Sequence, residues 1–108
     1  IYNHQNKYIM KNWNIFEVTT ESTPIHGVMM RGRIRKFALE NEIELLTENA
    51  SDVENTVRFA IHSEQKPNQV IDFIKILITD SKVELVLENI KNPVLSKLKV
   101  NKEERYSI

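Results

Sequence analysis

The sequence predicts an α+β fold, two helices packed on one face of a mainly antiparallel sheet, and three observations predict it. Residues 30–41 and 67–79 carry apolar side chains at helical spacing. The runs around them alternate apolar and polar residues with a period of two, the pattern of a half-buried strand. The signals follow one another as β-α-β-β-α-β, which is the order of a split βαβ unit of the ferredoxin-like kind.

Each element has its own local reason. Residues 1–13 are polar, rich in Asn and Lys and without a clear period, so they read as an N-terminal extension. The first residue is Ile1 rather than Met, as expected of a chain cut from a longer polypeptide, and Met10 is an alternative start. Phe16, Val18 and Thr20 alternate with Glu17 and Thr19 as a first strand, until Ser22-Thr23-Pro24 interrupts it. After a glycine-containing segment, Met30, Ile34, Phe37 and Ala38 mark the apolar face of a helix that ends near Asn41.

Ile43 to Thr47 is expected to be a short strand, with Glu48 to Asp52 as a polar connection. Val57, Phe59 and Ile61 then form the second arm of a hairpin. Pro67 sits where a first helical turn tolerates it, and Val70, Phe73, Ile74 and Leu77 give the stripe of a second helix running to about Thr79. Val83, Leu85 and Leu87 alternate with charged residues as a further strand. Leu98 and Val100 suggest a short last one. The folded domain is expected over 14–101, with 102–108 as a tail.

Composition narrows the function classes. At 108 residues, 41% apolar and 28% charged, the chain has the make-up of one soluble globular domain. Fifteen basic and fifteen acidic side chains cancel, which argues against a nucleic-acid partner held by a broad positive field. There is no cysteine, so disulfides, thiolate nucleophiles and thiolate metal sites are excluded, and a reducing, cytoplasmic setting is expected. No apolar run has the length of a membrane span and no opening segment resembles a signal peptide, so no membrane partner is expected. His4, His26 and His62 lack ligand spacing, so no metal or other cofactor is expected.

Both glycines fall in His26-Gly27-Val28-Met29-Met30-Arg31-Gly32, at the entrance to the first helix. Elsewhere turns use Asn, Asp, Ser and Pro. A glycine here therefore points to close approach of the backbone to something, or to positive φ. Peptide N–H groups at a helix start and a forked guanidinium favour an anion such as phosphate or carboxylate. Taken singly, Arg31 reads as a surface arginine, Asn49 as a turn residue, Arg35 as solvated or paired with Glu42, and Gly32 as a tolerated weakness in the helix.

Taken together, His26 to Arg31, Ile34-Arg35, Ala38 and Asn49 resemble the acylphosphatase family, whose pattern is Q-G-V-x-F-R-x-x-V-R-x-x-A followed by a strand ending in Asn. Gly27, Val28, Arg31, Arg35 and Ala38 match by identity and Ile34 by type, over a likeness that runs from about Asn14 to Asn101. His26 replaces the glutamine, Met30 the aromatic residue, Leu45-Leu46 the Gly-Trp pair, and Asp52-Val53 the Asp-Gly turn. The resemblance implies hydrolysis of an acyl phosphate to carboxylate and inorganic phosphate without a metal. It implies that the backbone N–H groups of Gly27, Val28, Met29 and Met30, together with Arg31, hold the phosphate, and that Asn49 orients the attacking water; His26 lies beside this site and adds a donor when protonated. The alternative is a non-catalytic domain of the same fold, carried in a larger protein and binding an anion or another domain through this loop. An RNA-binding module of similar topology ranks third, since Phe16 and Phe59 are too few for a stacking platform.

Overall fold

A computed structural model describes residues 12–21, 24–25 and 29–102. The elements are β1 (Trp13–Thr19), α1 (Met30–Glu40), β2 (Leu45–Asn49), β3 (Thr56–His62), α2 (Asn68–Leu77), β4 (Lys82–Ile90) and a closing 3-10 segment (Leu98–Lys102). The strands form one antiparallel sheet in the order β2-β3-β1-β4, so each strand-helix-strand unit crosses over a neighbouring strand. This is the split βαβ plait expected from the order of the elements.

Because side chains alternate across a strand, β3 is buried on both sides at the centre of the sheet. Val57, Phe59 and Ile61 face the helices and pack with Phe16 and Val18 of β1, Met30 and Ile34 of α1, and Val70 and Ile74 of α2. Phe16 and Phe59 are cross-strand partners with stacked rings 5.0 Å apart, and Phe37 and Phe73 join the two helices at 4.3 Å. Ala60 lies on the far face with Trp13, Ile15 and Leu95. That second face is covered by the chain after β4 rather than by a helix.

Three expectations are corrected. Trp13 belongs to β1 and not to the extension, because its ring is buried against the far-face cluster and meets His62 edge-on at 6.1 Å. The third element in sequence, β2, spans Leu45–Asn49 rather than Ile43–Thr47. The chain leaves α1 through Glu42 at φ 56, with Ile43 N–H donating back to the Ala38 carbonyl at 2.8 Å, so Ile43 belongs to the helix exit. The expected last strand is the 3-10 segment Leu98–Lys102. There the Asn101 amide donates to the carbonyls of Val94 and Leu98 and accepts from Val94 N–H, folding the segment on itself. Of the rest of the expected extension, Asn12 is described, its carbonyl accepting from Ser63 N–H at 2.9 Å, and residues 1–11 lie outside the described residues, as do the last six residues of the expected tail.

Candidate functional site

The helix entrance is fixed at both ends by apolar side chains. Ile25 and Met30 are both fully buried, and Met30 N–H donates to the Ile25 carbonyl at 3.4 Å, which closes the chain across the intervening residues. His26, Gly27 and Val28 lie outside the described residues. Met29 has the left-handed conformation, φ 55 and ψ 42, and its side chain is 71% exposed. A non-glycine residue there costs of order 1 kcal/mol or more, and strain of this kind concentrates at ligand-binding turns. Gly32 by contrast sits within α1 without positive φ, and open space surrounds the position a Cβ would take. It is a weak helical residue with no steric duty.

Arg31 is exposed on the first turn of α1, which also carries Arg33, Arg35 and Lys36 and has no acidic residue in that turn. Positive side chains thus follow one another along a helix whose start already carries the positive end of its dipole. Asn49 is the last residue of β2 and is half-buried. Its register partner is Val57, which faces the helices, so Asn49 lies on the helix-bearing side of the sheet. Thr19 pairs with Thr56 and Asn49 with Val57, so β1 and β2 finish at the same end of β3, the end at which the chain enters α1. Arg35 lines a groove of about 350 Å³ with Leu45, Leu46, Thr47 and Glu48 of β2 and with Pro93 and Leu95. Arg31 lies one turn nearer the helix start, roughly 6 Å along the axis, in the direction of Asn49.

One side chain ties the two loops of this corner together. Asn55, itself at φ 50, accepts from Ile25 N–H at 2.6 Å and donates to the Thr20 carbonyl at 2.8 Å. The β2–β3 connection and the segment leading to the helix entrance therefore share a pin.

Beneath the corner lies a cluster that sequence reasoning missed. Arg58 is 1% exposed. Its Nε and one terminal nitrogen meet Glu17 Oε2 at 2.8 and 2.7 Å, while the other donates to Asp52 Oδ1 at 2.7 Å and to the Leu95 carbonyl at 2.9 Å. Asp52 Oδ2 also accepts from Leu98 N–H at 2.9 Å. A guanidinium this deep is paired with both carboxylates, and removing either leaves a buried positive charge short of a partner, a cost that the partial exposure of the carboxylates moderates.

The Asp52 carboxyl is drawn below its ordinary value. Partial burial acts to raise it, but the hydrogen bond and charge of Arg58 and the Leu98 N–H outweigh that. A lowered folded-state value means that this carboxylate stabilises the fold above its unfolded value, near 3.8, and that the contribution is lost as pH falls through the lower folded value. The stability gap between wild type and Asp52→Asn is therefore expected to be constant from neutral pH to about pH 5 and to shrink below about pH 4. Urea midpoints measured across that range check it, and a gap that widens in acid contradicts the assignment. The side chain is 31% exposed, so added salt reduces the effect.

The chain matches no family model, no curated protein and no solved structure. Among the described residues no group of three or more His, Cys, Asp or Glu side chains is arranged to hold a metal ion, and no helix is long and apolar enough to cross a membrane.

Proposed function

We propose that the chain is an acylphosphatase-like hydrolase that splits the carboxyl–phosphate bond of a small acyl phosphate. One observation carries the proposal: Arg31 at the start of α1 and Asn49 at the end of β2 belong to the same end of the sheet, on its helix-bearing side. In this reading Arg31 and the backbone N–H groups of residues 27–29 bind the phosphate, with His26 beside them; the expected contribution of the Met30 N–H is corrected, since it donates to the Ile25 carbonyl. Met30 anchors the loop in the core. Donors already fixed in place stabilise charge on the transferring phosphoryl group without reorganising during the step. Asn49 has no acid–base capacity near neutral pH, so its amide aligns a water by hydrogen bonds.

Water oxygen bonds to phosphorus as the phosphorus–oxygen bond to the acyl group breaks. The carboxylate leaves with that electron pair, and the water proton passes to phosphate oxygen or solvent. No metal enters the scheme, and the cysteine-free composition suits a cytoplasmic protein.

The test is hydrolysis of benzoyl phosphate followed by absorbance. Wild type is expected to turn over in EDTA, with inorganic phosphate as a competitive inhibitor because it resembles the part of the substrate that the loop holds. A folded protein that binds phosphate at residues 25–31 and 49 but shows no turnover supports the binding-domain alternative. One that does neither overturns both readings.

A further inference from the structure

Asn49 stands at a weak point of the fold. Among the described residues it ends a strand laddered only to β3, and the connection that follows, residues 50–55, is long for a hairpin. The ladder continues for one more bond, from Ala50 N–H to the Thr56 carbonyl at 3.0 Å. A strand end of this kind opens readily unless something beyond it is held. Asn55 ties the far end of the connection to Thr20 and Ile25, and three contacts hold the part next to Asn49. Ser51 donates from its N–H and its hydroxyl to the Ser96 carbonyl at 2.8 and 3.0 Å, Asp52 accepts from Leu98 N–H, and Asp52 accepts from Arg58.

The Arg58 end of that last contact is unusually firm. Its backbone lies in the central strand, next to the Val57 that pairs with Asn49, and its guanidinium is out of water and braced on the opposite side by Glu17. The same guanidinium holds the Leu95 carbonyl, so the chain after β4 that receives Ser51 is fastened to the same post. Arg58 points to the far face of the sheet, away from the side that bears Asn49, so it reaches the site only through the connection.

We propose that Arg58, acting through Asp52, is a positioning residue for Asn49: the buried guanidinium clamps the connection three residues beyond Asn49 and so fixes the direction of its amide. The proposal rests on the acyl phosphate reading of Asn49 given above. Its consequence is a split between chemistry and binding, because the clamp bears on the connection next to Asn49 and makes no contact with Arg31, while the helix entrance has its own tie through Asn55.

In the full chain, Asp52→Ala is expected to lower kcat for benzoyl phosphate by about tenfold, the cost of a modest misplacement of a positioning group, with the inhibition constant for inorganic phosphate unchanged. Amide exchange at Ala50 and Ser51 should accelerate in the same variant. Asp52→Asn keeps an acceptor for Arg58 and should recover most of kcat. Ile74→Val, which trims the core under α2, supplies a loss of stability without touching the clamp and should leave kcat and the exchange at Ala50 and Ser51 as in wild type. An Asp52→Ala protein that turns over at the wild-type rate overturns the proposal. So does one whose kcat falls without faster exchange at Ala50 and Ser51. An inactive wild type overturns the hydrolase reading itself, an outcome told apart from failure of the clamp because exchange is read in the same samples.

Discussion

Arg31→Ala is expected to abolish both phosphate binding and turnover, the largest functional loss available from one substitution in this chain. An arginine that neutralises a transferring phosphoryl group is worth roughly 10³-fold or more in rate, and this one is also assigned the ground-state anion. Because Arg31 is exposed, its replacement should change stability by no more than about 0.5 kcal/mol, so loss of binding cannot be put down to loss of fold. Arg31→Lys should not rescue the protein, since an ammonium offers a point charge where a planar fork meets two phosphate oxygens. Arg35→Ala, one turn further along α1 and beside the β2 groove, should retain phosphate binding. Titration with inorganic phosphate, read by NMR, checks all three. Wild-type shifts should gather at residues 25–31 and 49. Shifts that persist in Arg31→Ala, or that fall on α2 alone, reject the anion site.

The parts of the fold that were legible in the sequence are those fixed by local pattern. The stripe Val70, Phe73, Ile74, Leu77 identified α2, and the alternation Val57, Phe59, Ile61 identified β3, because each buries one continuous face. Ile43 was misread as a strand residue. An apolar side chain just past a helix suits either a strand or a helix exit, and the left-handed Glu42 that decides the matter carries no glycine to announce it. Leu98 and Val100 had the period of a strand, but the bonds from Asn101 to Val94 and Leu98 curl the chain there instead. Trp13 was hidden by its polar neighbours Asn12 and Asn14.

The candidate site divides in the same way. Arg31 stands at a helix entrance beside glycine, which in sequence already suggests an anion; Asn49 taken singly reads as a turn residue, and only the resemblance assigns it a water. Arg58, Asp52 and Glu17 could not be singled out. In a strand that alternates apolar and polar residues, Arg58 takes the position of a solvent-facing residue, and its burial comes with Glu17, Asp52 and the chain at Leu95, which meet it on the far face. The contacts with Glu17 and Leu95 join residues far apart in sequence and leave no periodic trace. Asn55 was passed over for a related reason: a turn asparagine is common, and its bonds to Thr20 and Ile25 exist only once β1 and β3 are paired.

Asn49→Ala separates binding from chemistry and is expected to lower kcat by about a hundredfold or more, while affinity for inorganic phosphate changes little. The backbone of Asn49 remains in the ladder opposite Val57 whatever its side chain, so the strand end should survive the change. What is lost is the amide to which the proposed mechanism assigns the water. With no general base assigned, rate then depends on how often an unguided water reaches the line of attack. Asn49→Asp is the sharper probe, since it preserves shape but sets a carboxylate beside the bound dianion. Like-charge repulsion should then weaken phosphate binding as well as turnover, and the weakening should ease at a pH low enough to protonate that carboxylate. Steady-state kinetics with benzoyl phosphate and inhibition by inorganic phosphate distinguish the cases. If Asn49→Ala loses phosphate affinity in step with kcat, the residue belongs to the anion cradle and the water must be held elsewhere. If it turns over as fast as wild type, Asn49 has no part in the reaction, and the corner formed by α1 and β2 is left with anion binding through Arg31 alone.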